Sequence, residues 1–150
     1  MSVVVYMGRD GVRVPVAPAR LAAIARLTLR SEGVSDAMLS IAFISRRAIA
    51  AINRRHLGRS GSTDVIAFGM RHSGAKGPVV GDIYIAPEVA RANAVKHGVP
   101  VRQEIARLVV HGTLHVLGYD HGEGASRTDS RMWRRQEAIL ARGMRAGRKS

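Results

Sequence analysis

The chain has 150 residues, of which 46% are hydrophobic and 23% are charged, a composition typical of one globular domain spanning residues 1–150. No stretch reaches the roughly 18 consecutive apolar residues of a membrane helix, and the first residues lack the pattern of a secretion signal. We therefore expect a cytoplasmic protein with no membrane contact. The absence of cysteine excludes disulfides and thiolate metal ligands.

The balance of charge is strongly basic, with a formal net charge of +13 at pH 7 and a pI near 11.6. Such a surplus favours a polyanionic partner, because each phosphate that Lys or Arg neutralises releases bound counterions. RNA is the partner we expect, although the same charge would also serve solubility. Aromatic residues make up only 4% of the chain, so we expect contacts with the RNA backbone to predominate over stacking on bases.

The first part of the chain contains two predicted strands, each followed by a helix. Residues 3–7 are an apolar, β-branched run that predicts a strand, and residues 17–31 repeat apolar side chains at helical spacing. Residues 38–44 predict the second strand. Ser45 is suited to cap the second helix, which runs to about Arg55. Strands that are joined through a helix are expected to lie parallel, by right-handed crossovers.

The second part begins with two strands, predicted over residues 63–68 and 79–86, which a loop joins without a helix. We therefore expect this pair to be antiparallel. Three more helices follow, and a basic tail is expected over about residues 142–150. The first residues or caps predicted for these helices are Pro87, Pro100, and Thr128 or Asp129. The predicted fold is α+β, a small mixed four-stranded sheet packed with about five helices.

The segment from His111 to His121 contains three of the six histidines. His111 and His115 are four residues apart, so an α-helix places both imidazoles on one face. Gly118 is expected to end that helix, and the turn allows His121 to approach the same point. Three protein ligands with an open fourth position are typical of catalytic zinc, so we predict one Zn²⁺ per chain. Nickel, copper or iron would accept the same nitrogens.

The spacing of these histidines also matches the zinc helix of the metzincin proteases, His-Glu-x-x-His-x-x-Gly-x-x-His, with one difference. Gly112 stands where those enzymes have the glutamate that activates water, so the base of a peptidase is missing. Close packing of the helix would account for a glycine at this position. A zinc peptidase is kept as an alternative.

The complete segment from His111 to His121 resembles the signature of the YbeY family, bacterial zinc-dependent endoribonucleases that act in ribosomal RNA maturation. Residues 63–68 and 81–83 resemble two strands of the same family, and the similarity covers about residues 50–140. The resemblance implies a single-strand-specific endoribonuclease that hydrolyses phosphodiesters with a zinc-activated water. It also implies a role in 16S rRNA 3′-end maturation and ribosome quality control, with the small ribosomal subunit as partner.

The resemblance further implies an arginine near the metal. The family has an arginine, thought to act on the RNA phosphate, at the position of Leu57 in this chain. Arg55 or Arg59 would have to reach the same space from two residues away. Asp120 is the candidate proton acceptor, or it orients a zinc-binding histidine, which is the commoner role for such a carboxylate. A ribosome assembly factor in which zinc is only structural is the remaining alternative.

Overall fold

The computed structural model describes residues 2–58, 61–71, 77–119 and 131–148. In chain order its elements are β1 (Val3–Arg9), α1 (Pro18–Ser31), β2 (Ala37–Phe43), α2 (Arg46–Leu57), β3 (Val65–Arg71), β4 (Val79–Ile85), α3 (Pro87–His97), α4 (Val101–Val116) and α5 (Arg131–Arg148). The predicted caps Thr128 and Asp129 lie outside the described residues. Across the described ranges, no helix is long and apolar enough to cross a membrane.

The four strands form one mixed sheet in the order β1-β2-β4-β3. Strand β2 pairs in parallel with both β1 and β4, whereas β3 pairs with β4 in the antiparallel sense. The predicted α+β fold, with a mixed four-stranded sheet and five helices, is confirmed. The antiparallel hairpin of β3 and β4 places β3 at the edge of the sheet.

The sheet separates two groups of helices. On one face, Leu39 and Ile83 belong to the main core, which the sheet shares with α1, α4 and α5. On the other face, Ile66 of β3 packs with Ile49 of α2 in a smaller cluster. Helix α4, which carries two of the predicted zinc ligands, and helix α2, which carries Arg55, therefore lie on opposite faces of the sheet.

Helix α4 is the central element of the main core. Eleven of its sixteen residues are buried, and it contacts α1, α3 and α5 as well as β3 and β4. Three of its buried residues are polar: Glu104, His111 and Thr113. The Thr113 hydroxyl donates to the Val109 carbonyl oxygen at 2.7 Å, within the helix. The other two are also paired, Glu104 with Arg107 on the same helix and His111 with Gln136 on α5. Such pairing is expected because a buried polar group without a partner is costly.

Three glycines let the second half of α4 approach the sheet closely. Gly69 and Gly81 are paired across β3 and β4. A Cβ at Gly69 would lie 2.5 Å from the carbonyl oxygen of Val116, and one at Gly81 would lie 2.5 Å from Val116 Cγ1. On the helix itself, a Cβ at Gly112 would lie 2.7 Å from Ile83 Cγ2. Close packing of the helix against the sheet therefore accounts for the glycine at residue 112.

Helix α5 extends further than the sequence suggested, because residues 142–148 continue the helix in place of the expected basic tail. Gly143 is buried, and a Cβ there would be in contact distance of Ile24 and Leu27 of α1. Met144 packs on the main core. The sequence prediction ended this helix too early, because residues 142–148 are mostly basic and include few apolar residues that pack on the rest of the protein.

Candidate metal centre

His111 and His115 lie side by side on α4, with ring centroids 4.6 Å apart and ring planes at 75°. His111 is 8% exposed and His115 is half-buried. One turn of helix separates the two residues, and this is the separation that lets two imidazoles reach a common ion. The structure thus places together the two predicted ligands that it describes, and their role in binding zinc stays a prediction.

A turn at Leu117 and Gly118, closed by two hydrogen bonds, follows the last helical residue Val116. The φ angle of Gly118 is 101°, a conformation that residues with a side chain seldom adopt. Its N–H donates to the His115 carbonyl oxygen at 2.9 Å, and the Tyr119 N–H donates to Leu114 at 3.1 Å. These two bonds form a Schellman motif, which satisfies the last carbonyls and ends the helix. The chain therefore leaves α4 three residues after His115.

Several predicted site residues lie outside the described residues: His121 as the third ligand, and Asp120 and Arg59 as catalytic residues. Within residues 2–58, 61–71, 77–119 and 131–148, no three His, Cys, Asp or Glu side chains are grouped so as to hold a metal ion. The described part of the predicted site is the histidine pair with its surroundings.

Helix α5 supplies a hydrogen-bond partner for His111. The Oε1 of Gln136 lies 2.6 Å from His111 Nδ1, and the Nε2 of Gln136 donates to Glu137 Oε2 at 3.0 Å. Glu137 in turn accepts from Arg107, from Nε at 3.0 Å and from Nη2 at 3.2 Å. We refer to Gln136, Glu137 and Arg107 as the Gln136 network. Metal-bound histidines almost always have such a partner on the second ring nitrogen, and imidazole suits zinc, so these residues fit a zinc ion.

Arg107 connects the Gln136 network to a second carboxylate. Its Nη1 lies 3.6 Å from Glu104 Oε2, one helical turn away on α4. Burial alone would lower the pKa of Arg107, but the hydrogen bonds and negative charge of Glu137, followed by those of Glu104, raise the pKa above its ordinary value. The buried Glu104 is thus paired with an arginine, which explains its burial without a role at the metal.

Gln136 is a functional candidate that the sequence analysis missed. It is 2% exposed and lies among the apolar residues Met132, Ile139 and Leu140 on the inward side of α5. The signal that could have found it is an amide on an otherwise apolar stripe, because a buried amide needs hydrogen-bond partners. The identity of the partner depends on how α5 packs on α4, which the sequence does not specify.

The carboxylate of Glu32, at the end of α1, contacts residues that lie before and after residues 120–130 in the sequence. Glu32 accepts hydrogen bonds from the Tyr119 hydroxyl and from Arg135 Nε, the latter at 2.8 Å. The Arg131 guanidinium lies 5.8 Å from the centroid of the Tyr119 ring. The hydrogen bond to Glu32, with burial and the charge of Glu32, raises the pKa of Tyr119. We refer to Glu32, Tyr119, Arg131 and Arg135 as the Glu32 cluster.

A cavity of about 540 Å³ lies beside His111, between helices α3, α4 and α5. Its volume is within the roughly 300–1,000 Å³ of small-ligand sites. The indole of Trp133, the only tryptophan in the chain, lines the cavity, and Lys96 adds a positive charge. On another wall, Asn93 Nδ2 donates to Asp64 Oδ2 at 3.2 Å. Aromatic, cationic and hydrogen-bonding groups therefore surround a space that adjoins one predicted zinc ligand.

The candidate arginine Arg55 lies on the exposed side of α2, beyond the sheet from the histidine pair. Leu57, at the position of the family arginine, is 43% exposed at the end of the same helix. The helix ends at Gly58, with φ of 64°. Within α2, the buried amide of Asn53 donates to the carbonyl oxygen of Gly61, a residue that follows the helix, at 3.1 Å. The catalytic role of Arg55 stays a prediction.

A central helix with paired histidines, packed on a mixed sheet, defines a small α+β protein with a candidate metal site. The family model described as Endoribonuclease YbeY matches residues 15–143. The chain belongs to the YbeY family. A relative from Anaeromyxobacter sp. (strain Fw109-5), named Endoribonuclease YbeY, is 38% identical over 123 residues, which are 82% of this chain and 62% of the relative. This chain therefore spans less than two thirds of that relative.

Other comparisons extend over most of both chains. A relative from Bacillus licheniformis, also named Endoribonuclease YbeY, is 34% identical over an alignment of 155 residues, which covers 95% of this chain and 96% of the relative. The solution structure of a Thermotoga maritima protein is similar with a TM-score of 0.63, covering 97% of this chain and 92% of that chain at 21% identity. At this low identity, the structural likeness concerns the fold alone.

Proposed function

We propose that the protein is a zinc-dependent endoribonuclease that hydrolyses phosphodiesters of single-stranded RNA. The observation that carries the proposal is the histidine pair on α4, of which His111 lines the cavity and is hydrogen-bonded to Gln136 in the manner of a metal ligand. Family membership supports the reaction class, because the relatives are named endoribonucleases. The zinc ligands would be His111, His115 and His121, one ion per chain.

Zinc held by these histidines would supply Lewis acidity and would lower the pKa of a water molecule, giving a nucleophile near neutral pH. The residues of the chain supply the remaining functions. The buried helix α4 holds His111 and His115 in fixed positions. Of the two candidate arginines, Arg59 would neutralise charge on the phosphate as it becomes pentavalent, whereas Arg55, beyond the sheet, would contact the RNA backbone at another phosphate. Asp120 accepts a proton from the attacking water or orients one of the histidines.

The proposed substrate is the precursor of 16S ribosomal RNA, cleaved at its 3′ end, with the small ribosomal subunit as partner and a further role in ribosome quality control. The net charge of +13 supports a polyanionic substrate. The family resemblance supports ribosomal RNA and a cytoplasmic setting in particular.

The packing of Gly112 disfavours the zinc peptidase alternative. In the metzincin pattern this position carries the catalytic glutamate. Here the Cβ position at Gly112 faces Ile83 at 2.7 Å, so a side chain at residue 112 would enter the contact between α4 and the sheet. It would not reach the histidine side of the helix without a shift of the helix.

The proposal is tested by cleavage of an end-labelled single-stranded RNA from the 3′ end of precursor small-subunit rRNA. The wild-type protein is compared with folded His115→Ala, with and without a chelator. His56→Ala is the matched control, because His56 is exposed at the end of α2 and has no role in the proposed site. We expect chelation and His115→Ala to abolish cleavage, readded zinc to restore it, and His56→Ala to cleave like the wild type.

Two results would contradict the proposal in different ways. Cleavage that survives both chelation and His115→Ala would show that the histidine pair is not the catalytic site. A zinc-loaded protein that binds the RNA without cleaving it would support the ribosome assembly factor with structural zinc.

A further inference from the structure

The buried amide of Gln136 is hydrogen-bonded at both ends, to His111 of α4 through its oxygen and to its neighbour Glu137 on α5 through its nitrogen. Its oxygen lies 2.6 Å from His111 Nδ1 on α4, and its nitrogen donates to Glu137 Oε2 at 3.0 Å on α5. Because Gln136 is only 2% exposed, these protein groups and not bulk water determine its orientation.

The Gln136 network determines which way the amide points. Arg107 has only donors, and it binds both carboxylate oxygens of Glu137, which therefore act as acceptors. The amide nitrogen, as the donor, must face Glu137, and the amide oxygen must face His111. Since an amide oxygen only accepts, the proton of the His111 ring lies on Nδ1. In the neutral imidazole the lone pair then belongs to Nε2.

We infer that Gln136 is a positioning residue, which selects the tautomer of His111 and thereby presents Nε2 to the metal. The inference rests on the zinc site of the proposed function. Glu137 and Arg107 fix the amide and act on His111 only through it. In the other tautomer the N–H would be on Nε2 and the proton would have to move before zinc could bind there. Partners of this kind typically contribute roughly 10–100-fold to metal affinity.

The first test is the tautomer of His111 in the metal-free protein. Long-range ¹H–¹⁵N correlation spectra distinguish the two neutral forms of histidine, and a pH of about 8 keeps an ordinary imidazole neutral. We expect His111 to be protonated on Nδ1. A His111 ring protonated mainly on Nε2 would overturn the inference, and this result requires neither zinc nor a substitution.

The second test is zinc affinity, measured by competition with a chelating indicator. Gln136→Leu removes the acceptor and leaves an apolar side chain one bond shorter, and we expect it to bind zinc roughly 10–100-fold more weakly. Gln103→Leu is the matched control, because Gln103 lies on α4 beside a different cavity. We expect this control to keep the wild-type affinity.

A double variant, Gln136→Glu with Glu137→Gln, serves as the rescue. The carboxylate at residue 136 can accept from His111 Nδ1, while the amide at residue 137 donates to it and accepts from Arg107. We expect this exchange to retain the Nδ1 proton and most of the zinc affinity, and a zinc affinity as low as that of Gln136→Leu would overturn the inference.

The outcomes separate the inference from the proposed function. If folded Gln136→Leu binds zinc as tightly as Gln103→Leu, the positioning role is wrong although zinc binding stands. If the wild-type protein binds no zinc, the proposed function fails and the metal-directed role of Gln136 fails with it, whatever the tautomer of His111.

Discussion

Gly112 follows His111 in the helix but faces the sheet, where close packing leaves no room for a larger side chain. A Cβ there would lie 2.7 Å from Ile83 Cγ2, and Ile83 is fully buried. This methyl group moves only if Ile83 leaves its χ1 rotamer or if the strand or the helix shifts, and each is costly for a fully buried β-branched residue. The cost of overpacking should exceed what alanine gains over glycine in a helix, so we expect Gly112→Ala to lower the free energy of unfolding by about 1–2 kcal/mol in urea denaturation.

Gly143 provides a matched control for this prediction, because it is also a helical glycine in the main core. A Cβ at Gly143 would lie 3.4 Å from Ile24 Cγ1, an ordinary contact. We expect Gly143→Ala to raise the free energy of unfolding by about 0.5–1 kcal/mol through helix propensity. If both alanine variants change stability in the same direction, the close contact at Gly112 is not the dominant effect.

The residues of the candidate metal centre differ in how far the sequence could predict them. The proximity of His111 and His115 depends only on helical geometry, so their spacing was sufficient. The contact between His111 and Gln136 joins residues 25 positions apart and depends on how α4 packs on α5. Composition and periodicity do not determine this packing. The sequence therefore indicates that Gln136 lies on a buried stripe, but not that it forms a hydrogen bond with His111.

At the scale of elements, the Glu32 cluster joins the end of α1 to the chain on both sides of residues 120–130. Glu32→Gln would weaken the hydrogen bond from Tyr119 and the ion pair with Arg135. The ion pair is partly exposed and contributes little, whereas a hydrogen bond to a charged group contributes more. We expect a loss of about 1–2 kcal/mol in urea denaturation, and weaker zinc binding, because the predicted ligand His121 lies between the two tethered points.

Glu88→Gln is the comparison that isolates this effect. Glu88 is exposed and accepts a backbone hydrogen bond from Arg46 at 3.2 Å, away from the candidate metal centre. We expect Glu88→Gln to bind zinc like the wild type and to lose less stability. Equal zinc affinities for the two variants would mean that the Glu32 cluster stabilises the fold without supporting the metal site.

The elements themselves were largely predictable because their patterns are local. A β-branched apolar run identified β1 and alternation of apolar residues identified β4, and the helix-free connection identified the antiparallel pair β3 and β4. The end of α5 was less predictable. Residues 142–148 are rich in arginine, and the helix is extended by Gly143 and Met144, whose burial depends on the distant helix α1.

At the scale of the whole molecule, the sheet decides which charged residues share a side with the cavity. The net charge of +13 was available from composition alone. The separation of α2 from α4 was not, because it depends on the order in which the strands pair. An RNA strand that contacts both Arg55 and the histidine pair would therefore have to pass around the edge of the sheet at β3.

Salt dependence of RNA binding tests whether Arg55 takes part in such a path. For single strands, the logarithm of the association constant falls with the logarithm of salt concentration by about 0.7 for each neutralised phosphate. We expect Arg55→Met to make this slope shallower by about 0.7 in anisotropy titrations of the zinc-free protein, between about 50 and 200 mM salt. Arg26→Met removes the same charge from the exposed side of α1, a helix that contributes none of the described residues lining the cavity, and should leave the slope unchanged. Equal slopes for the two variants would mean that Arg55 acts only through net charge, and that the phosphate contact must come from another residue.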